Sequence, residues 1–286
     1  MGPRVVRAAL CSDEARENHA RTRADRTTPK YTATGRSVEG VMGQDELAEA
    51  TLGLPRRTRA CLFDLDGVLT QTAKLHATAW KQMFDAYLRE WSARTGHPFV
   101  PFDPIHDYAL YLDGKLRLDG TRAFLASREI RVSEDSIRDL AQRKDDILLQ
   151  LLGRERVATY DGSVRFVRAA REAGLRTAVV SSSRHAETAL VSAGIADLFD
   201  ARVDGVVAAE EHLAGKPAPD TYLAAALAVG VEPAEAAVFE DALSGVEAGR
   251  AGHFGYVVGV DRVGQAAELR RHGADVVVTD LAVLLA

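Results

Sequence analysis

The chain has 286 residues, 47% hydrophobic and 27% charged, the balance of an ordinary soluble globule with room for one large domain or two modest ones. No stretch approaches the roughly 18 apolar residues that span a bilayer, and the N-terminus lacks an apolar signal core, so a cytoplasmic protein with no membrane partner is expected. The first forty residues hold eight Lys/Arg against five Asp/Glu, which leaves 28 basic and 36 acidic residues beyond them; an acidic body of net minus eight argues against a nucleic-acid partner.

Residues 1–58 carry scattered Arg, Thr, Ser and Gly without sustained periodicity and are expected to be a disordered or weakly structured extension. Within it, a short helix near Asp45 to Thr51 and an alternative start at Met42 fit the pattern, while Asp13, Glu14 and Glu17 weigh against a targeting peptide. Cys11 lies in this extension and Cys61 in an apolar run, so the two cysteines offer neither a disulfide framework nor metal-ligand spacing.

The next stretch, Ala60 to Thr72, reads ACLFDLDGVLTQT and organises the rest. Its apolar start predicts a buried strand that ends on Asp64, with Asp66-Gly67 turning the chain out. Side chains repeat every second residue along a strand, so Asp64 and Asp66 can face one cleft about 6 to 7 Å apart. Two such carboxylates repel, and a bound cation, a shared proton or solvent must compensate. With a cation, Asp64 stays ionised and nucleophilic while Asp66 handles the proton. An Asp-Gly turn with a capping or solvated first Asp is the plainer alternative.

Apolar residues at Trp80, Met83, Phe84, Tyr87, Leu88 and Trp91 then predict an amphipathic helix ending near Gly96. A short helix over Asp119 to Ser127 follows. Another starts at the N-cap Ser133, with Ile137, Leu140, Ala141, Leu148 and Leu151 on one stripe. Residues 76–156 therefore read as a helical cap inserted into a core built from 59–75 and 157–286. From Asp161 the pattern alternates: helix 163–173, strand 176–181, helix 184–193, a short strand near 201–203, helix 219–229, strand 236–239, helix 244–251, strand 256–259, helix 265–272 and strand 275–279. Repeated strand and helix units joined by short loops specify an α/β, Rossmann-like doubly wound parallel sheet.

Polar residues recur after the strands: Asp64 and Asp66 after the first, Ser181-Ser182-Ser183 after the second, Glu240-Asp241 after a later one, with Lys216 in the loop GKPAPD before a helix. Parallel strands bring their carboxyl ends to one edge, where ligands bind. Asp64, the main chain at Asp66, Glu240 and Asp241 form an oxygen-rich site suited to magnesium. Ser181 can donate to a phosphoryl oxygen, and Lys216 can offset charge developing there. Taken singly, Ser181 reads as a helix cap, Lys216 as a solvated loop lysine and Glu240-Asp241 as an acidic turn; their joint placement points to phosphoryl transfer.

These four segments, DLDGVLT, VVSSSR, GKPAPD and VFEDALSG, resemble the haloacid dehalogenase superfamily over about residues 59 to 280. The resemblance implies that Asp64 becomes an aspartyl-phosphate, that Asp66 is the general acid/base, and that magnesium is held by Asp64, the Asp66 carbonyl, Glu240 and Asp241. TAKLHATAWK is similar to the beta-phosphoglucomutase-like branch, with Thr72, His76, Trp80 and Lys81 at its positions. In LDGKLRLDG the resemblance places Gly114, Lys115 and Arg117 in the substrate loop, with the arginine on the phosphate remote from the chemistry. It sets Lys144, on the apolar stripe of its helix, opposite Thr72. His76 alone is a helix-start histidine at the hinge, and Trp80 alone a packing aromatic. Ser182 and Ser183 keep the branch pattern, whereas Arg184-His185 replace a Lys-Asn pair and Lys115 replaces an apolar residue, changes that bear on the sugar.

The resemblance implies a phosphomutase that converts beta-glucose 1-phosphate to glucose 6-phosphate, with glucose 1,6-bisphosphate as activating phosphoryl donor. A magnesium-dependent sugar-phosphate phosphatase using the same residues is the second reading, and a non-catalytic sugar-phosphate binding module the third. The expected partner is a small phosphorylated sugar and the expected state a monomer or weak homodimer.

Overall fold

The computed structural model describes residues 52–154 and 156–285 of the chain. The readings that fall on residues 1–51, including the helix near Asp45 and the start at Met42, lie outside the described residues. Leu52 and Leu54, which the sequence reading assigns to the extension, are 1% and 5% exposed and belong to the core, where they pack with Leu281 and Leu284. That part of the expectation is corrected. Two leucines spaced two residues apart bury enough apolar area to hold the segment down.

Among the described residues the sheet has six parallel strands: β1 (Ala60–Asp64), β2 (Arg176–Val180), β3 (Ala201–Val203), β4 (Ala236–Glu240), β5 (Tyr256–Val260) and β6 (Val276–Val278). Their order is β3-β2-β1-β4-β5-β6. The order reverses at β1 and β4, so the crevice between their carboxyl ends is where such a sheet takes a ligand. β1 and β4 are buried along their whole length, as near-continuous apolar runs in a doubly covered parallel sheet must be. Two hydrophobic clusters flank the sheet. One gathers Phe63, Phe166, Phe199 and Phe239 beneath the helix Asp161–Glu172, and the other gathers Leu62, Val180, Tyr222 and Val238 beneath the helix Asp220–Val229.

Between β1 and the helix Asp161–Glu172 run α1 (Ala73–Thr95), α2 (Arg117–Ser127) and α3 (Glu134–Leu152). They form a cluster of their own around Trp80, Phe84, Phe102, Phe124 and Leu140. α1 stops where the sequence placed the stop, at Gly96 with φ +77. The Ser133 hydroxyl caps α3 by accepting from the Ser136 N–H. The two links to the sheet lie side by side, with Gln71 N–H donating to the Ala158 carbonyl and Tyr160 N–H to that of Leu69. Several short elements among the described residues were not expected, two of them near the strand ends. A π-helical turn covers Tyr108–Leu112, and a six-residue helix, Gly205–Glu210, is capped by the Asp204 carboxylate, which accepts from the Val206 and Val207 N–H groups.

Candidate active site

Asp64 ends β1 and is 5% exposed. Lys216, from the loop before the helix Asp220–Val229, reaches it with Nζ 2.5 Å from Asp64 Oδ1 and 2.6 Å from Glu240 Oε1. Lys216 and Glu240 are 2% and 0% exposed, and the ammonium also faces the Tyr222 ring at 4.9 Å. Burial pulls the ammonium down, yet the attraction of Asp64 and Glu240 outweighs it and holds the lysine charged, above its ordinary range. Burial pushes the Asp64 carboxyl well up; Lys216 opposes that push, while Glu240 and Asp66 add to it.

Oxygen atoms of Asp64, Glu240 and Asp241 all lie within 4.8 Å of one another. Three buried carboxylates face a single lysine, and Asp241 Oδ1 is buried without a hydrogen-bond partner. Surplus negative charge and an orphaned acceptor are what a hard divalent cation neutralises, so the donor set fits magnesium. Two glycines keep the space clear. Gly67, at φ +100, faces Asp241 so closely that a Cβ there would enter its carboxylate, and a Cβ on Gly245 would enter that of Glu240.

Asp66 is gripped from three sides. Thr72 Oγ1 donates to its Oδ1, Ser181 Oγ donates to its Oδ2 at 3.2 Å, and His76 Nε2 lies 3.5 Å from Oδ1. Ser181 in turn accepts from the Ser183 N–H. Burial and the neighbouring Lys144 charge push His76 down to about 4, so the ring is neutral near pH 7. A neutral ring that accepts at Nδ1 from Lys144 Nζ, 3.2 Å away, carries its proton on Nε2 and presents it to Asp66. Lys144 was expected opposite Thr72. It meets His76 and the face of Trp80 at 5.1 Å instead, because the Thr72 hydroxyl is committed to Asp66. Trp80 serves both readings, stacking on Phe84 in the helical cluster and lining the cleft with its other face.

The loop 113–116 lies over the strand ends. Ser182 Oγ donates to the Gly114 carbonyl at 2.6 Å, and Ser244 Oγ donates to the Asp113 carbonyl at 2.7 Å. The volume open to the centres of water molecules in the cleft is only about 50 Å³, so the helical unit stands close on the sheet. Asp64, Asp66, His76, Trp80, Gly114, Lys115, Arg117, Lys144, Ser182, Ser183, Arg184 and Asp241 all line it. Thr72, Ser181, Lys216 and His185 sit behind that surface, holding its acids, and Glu240 lies behind it on Lys216. Lys115 turns its ammonium onto the Leu110 carbonyl of its own segment. Arg117 pairs with Asp145.

Sequence reasoning missed five lining residues, the apolar Leu112 and Ala242 and the polar Tyr108, Asp113 and Asp145. Asp113 is pushed up to about 7 by burial and by Glu240, against a hydrogen bond from Tyr108. Tyr108 and Asp113 flank an unexpected turn, and Asp145 read as one more charge on a helix; only the acid's place beside Lys144 on the cleft side of α3 offered a signal.

The profile of the haloacid dehalogenase-like hydrolases matches residues 58–253. A beta-phosphoglucomutase of Mycobacterium bovis is 56% identical over 252 residues, covering 84% of this chain and 96% of that protein. A fructose-1-phosphate phosphatase of Escherichia coli is 30% identical over 200 residues, covering 68% and 93%. The crystal structure of a beta-phosphoglucomutase from Clostridium difficile superposes with a TM-score of 0.66 at 25% identity, covering 79% and 93%. Four sheet-edge acids with their lysine and serine, a helical unit closed over them, and this degree of likeness agree: the chain is an enzyme of the haloacid dehalogenase-like hydrolase family, in its beta-phosphoglucomutase-like branch.

Proposed function

We propose that the enzyme is a magnesium-dependent phosphomutase that interconverts beta-glucose 1-phosphate and glucose 6-phosphate, with glucose 1,6-bisphosphate as priming donor and intermediate. The observation that carries this reading is the pairing of Asp64 with a triply held Asp66 beneath a closed helical lid. Likeness to a mutase over 96% of that protein's length supports the substrate.

Asp64 attacks the phosphorus of the bisphosphate, the bond from phosphorus to the sugar oxygen breaks, and Asp66 donates the proton that this oxygen needs. The sugar monophosphate then presents its other hydroxyl; Asp66 takes that proton as the oxygen attacks the phosphorus on Asp64 and frees the carboxylate. Ser181 and the neutral His76 keep Asp66 aimed at the cleft in both halves. Lys216 stays charged beside Asp64 and offsets the negative charge that develops on the transferring group. Magnesium, held by Asp64, Glu240, Asp241 and the Asp66 main chain, would neutralise the surplus carboxylate charge and screen an anionic phosphate from an anionic nucleophile. Arg117 and Arg184 supply positive groups toward the remote phosphate, with Ser182 and Ser183 beside them, while Lys144 faces the end where the phosphoryl group is transferred. The helical lid must exclude water, since hydrolysis of the aspartyl-phosphate wastes it.

The phosphatase reading uses the same residues and is favoured by the likeness to a fructose-1-phosphate phosphatase. One assay separates the two. With magnesium and a trace of glucose 1,6-bisphosphate, beta-glucose 1-phosphate should yield glucose 6-phosphate much faster than free phosphate; dominant phosphate release would replace the mutase with the hydrolase.

A further inference from the structure

Consecutive residues of α3 divide the cleft between them. Lys144, 3% exposed, turns to His76 and so toward Asp66, at the end where the chemistry is. Asp145, 7% exposed, turns the other way and meets an arginine and a histidine from different halves of the molecule. Its Oδ2 contacts Nη1 of Arg117, the first residue of α2 in the lid. Its Oδ1 lies 3.1 Å from Nε2 of His185, in the loop that follows β2 in the sheet domain. All three side chains are sheltered, at 10%, 16% and 18% exposure.

We infer that Asp145 is a positioning residue: one carboxylate clasps Arg117 of the lid and His185 of the core, so that recognition of the remote phosphate and closure of the lid are a single event. This rests on the mutase reading given above.

Two observations support it. Arg117 Nη1 and His185 Nε2 are both spent on the Asp145 carboxylate, while Arg117 Nε is buried without a hydrogen-bond partner. A buried donor left open in this way calls for an acceptor, and an arriving phosphate has the oxygens to supply one. Burial pushes the Asp145 carboxyl up, but His185 and Arg117 outweigh that push and leave it at about 2, so the carboxylate is ionised throughout the working range. The carboxylate also offsets the Arg117 charge while no phosphate is present, which an isolated buried arginine would need in some other form.

A double-mutant cycle tests the clasp on the full chain, with beta-glucose 1-phosphate, magnesium and trace glucose 1,6-bisphosphate. Asp145→Asn keeps the shape and removes the charge; His185→Gln removes the partner across the cleft. Each should raise KM for the sugar phosphate about tenfold with kcat changed far less, and the double variant should be no worse than either single one, since both break one clasp. If Asp145→Asn does not fold, His185→Gln still reads the clasp, because its residue sits in a loop. Additive effects, or a loss confined to kcat with KM unchanged, would overturn it. Failure of the unaltered enzyme to convert beta-glucose 1-phosphate would instead sink the mutase reading, and the two failures are distinct.

Discussion

Replacing Lys216 with methionine removes a buried cation and leaves the surrounding space nearly filled. In the structure Nζ contacts Asp64 at 2.5 Å and Glu240 at 2.6 Å, each worth about 6 kcal/mol of gross attraction at an effective dielectric of about 20. Desolvating the three groups cancels most of that sum, so the net loss is the cost of leaving buried carboxylates uncompensated, about 3 to 5 kcal/mol. For a body of this size that lowers the unfolding midpoint by roughly 6 to 20 °C. Thermal unfolding followed by circular dichroism, in a chelator at pH 7, measures it. The sign of the pH dependence follows from Asp64, whose folded carboxyl is raised above its ordinary value and so favours folding when protonated. The penalty should therefore shrink as pH falls toward the ordinary carboxylate range, and excess magnesium at pH 7 should recover part of it. A midpoint within about 2 °C of the parent in chelator would refute the account, because the lysine would then be compensating nothing.

Asp64→Asn should reduce both phosphoryl transfer and phosphate release to background, and retained turnover would remove Asp64 as nucleophile. Gly67→Ala, at φ +100 with its new methyl aimed into the Asp241 carboxylate, should weaken magnesium binding roughly 10- to 100-fold by titration calorimetry, and unchanged affinity would exclude Asp241 from the metal site. Lys144 is pulled down to about 8 chiefly by burial, so kcat/KM for the sugar phosphate should fall about tenfold per pH unit above 8 as the charge is lost. Between pH 8 and 10.5 the unfolded lysine holds a proton that the folded one has released, so its contribution to stability rises across the window in which activity falls. Lys144→Arg should remove that alkaline limb, and a limb that persists would assign it to another group.

The sheet and its acids were legible because each depends on a local rule. Ala60 to Phe63 is apolar, Asp64 ends the run, and Glu240-Asp241 ends another, so a parallel order alone brings them to one edge. Helix ends at Gly96, Ser133 and Gly194 were legible for the same reason, since a cap is chosen by its own few residues. What stayed hidden depends on partners far along the chain. Thr72 and Lys144 were expected to meet, but six residues separate Thr72 from the acid that takes its hydroxyl, while sixty-eight separate Lys144 from His76. Asp145 offers only its place beside Lys144 as a sign, since its partners Arg117 and His185 lie on different elements. The Gly205–Glu210 helix is too short for periodicity to declare it, although the capping side chain of Asp204 was available as a cue.

The serine hydroxyls that dock the loop at 113 and 114 grasp its peptide carbonyls and not its side groups. Every amino acid carries such a carbonyl, so the latch tolerates drift in the neighbouring identities at Lys115 and Leu116. A side chain beside the latch can thus be exchanged while the loop stays docked on the strand ends.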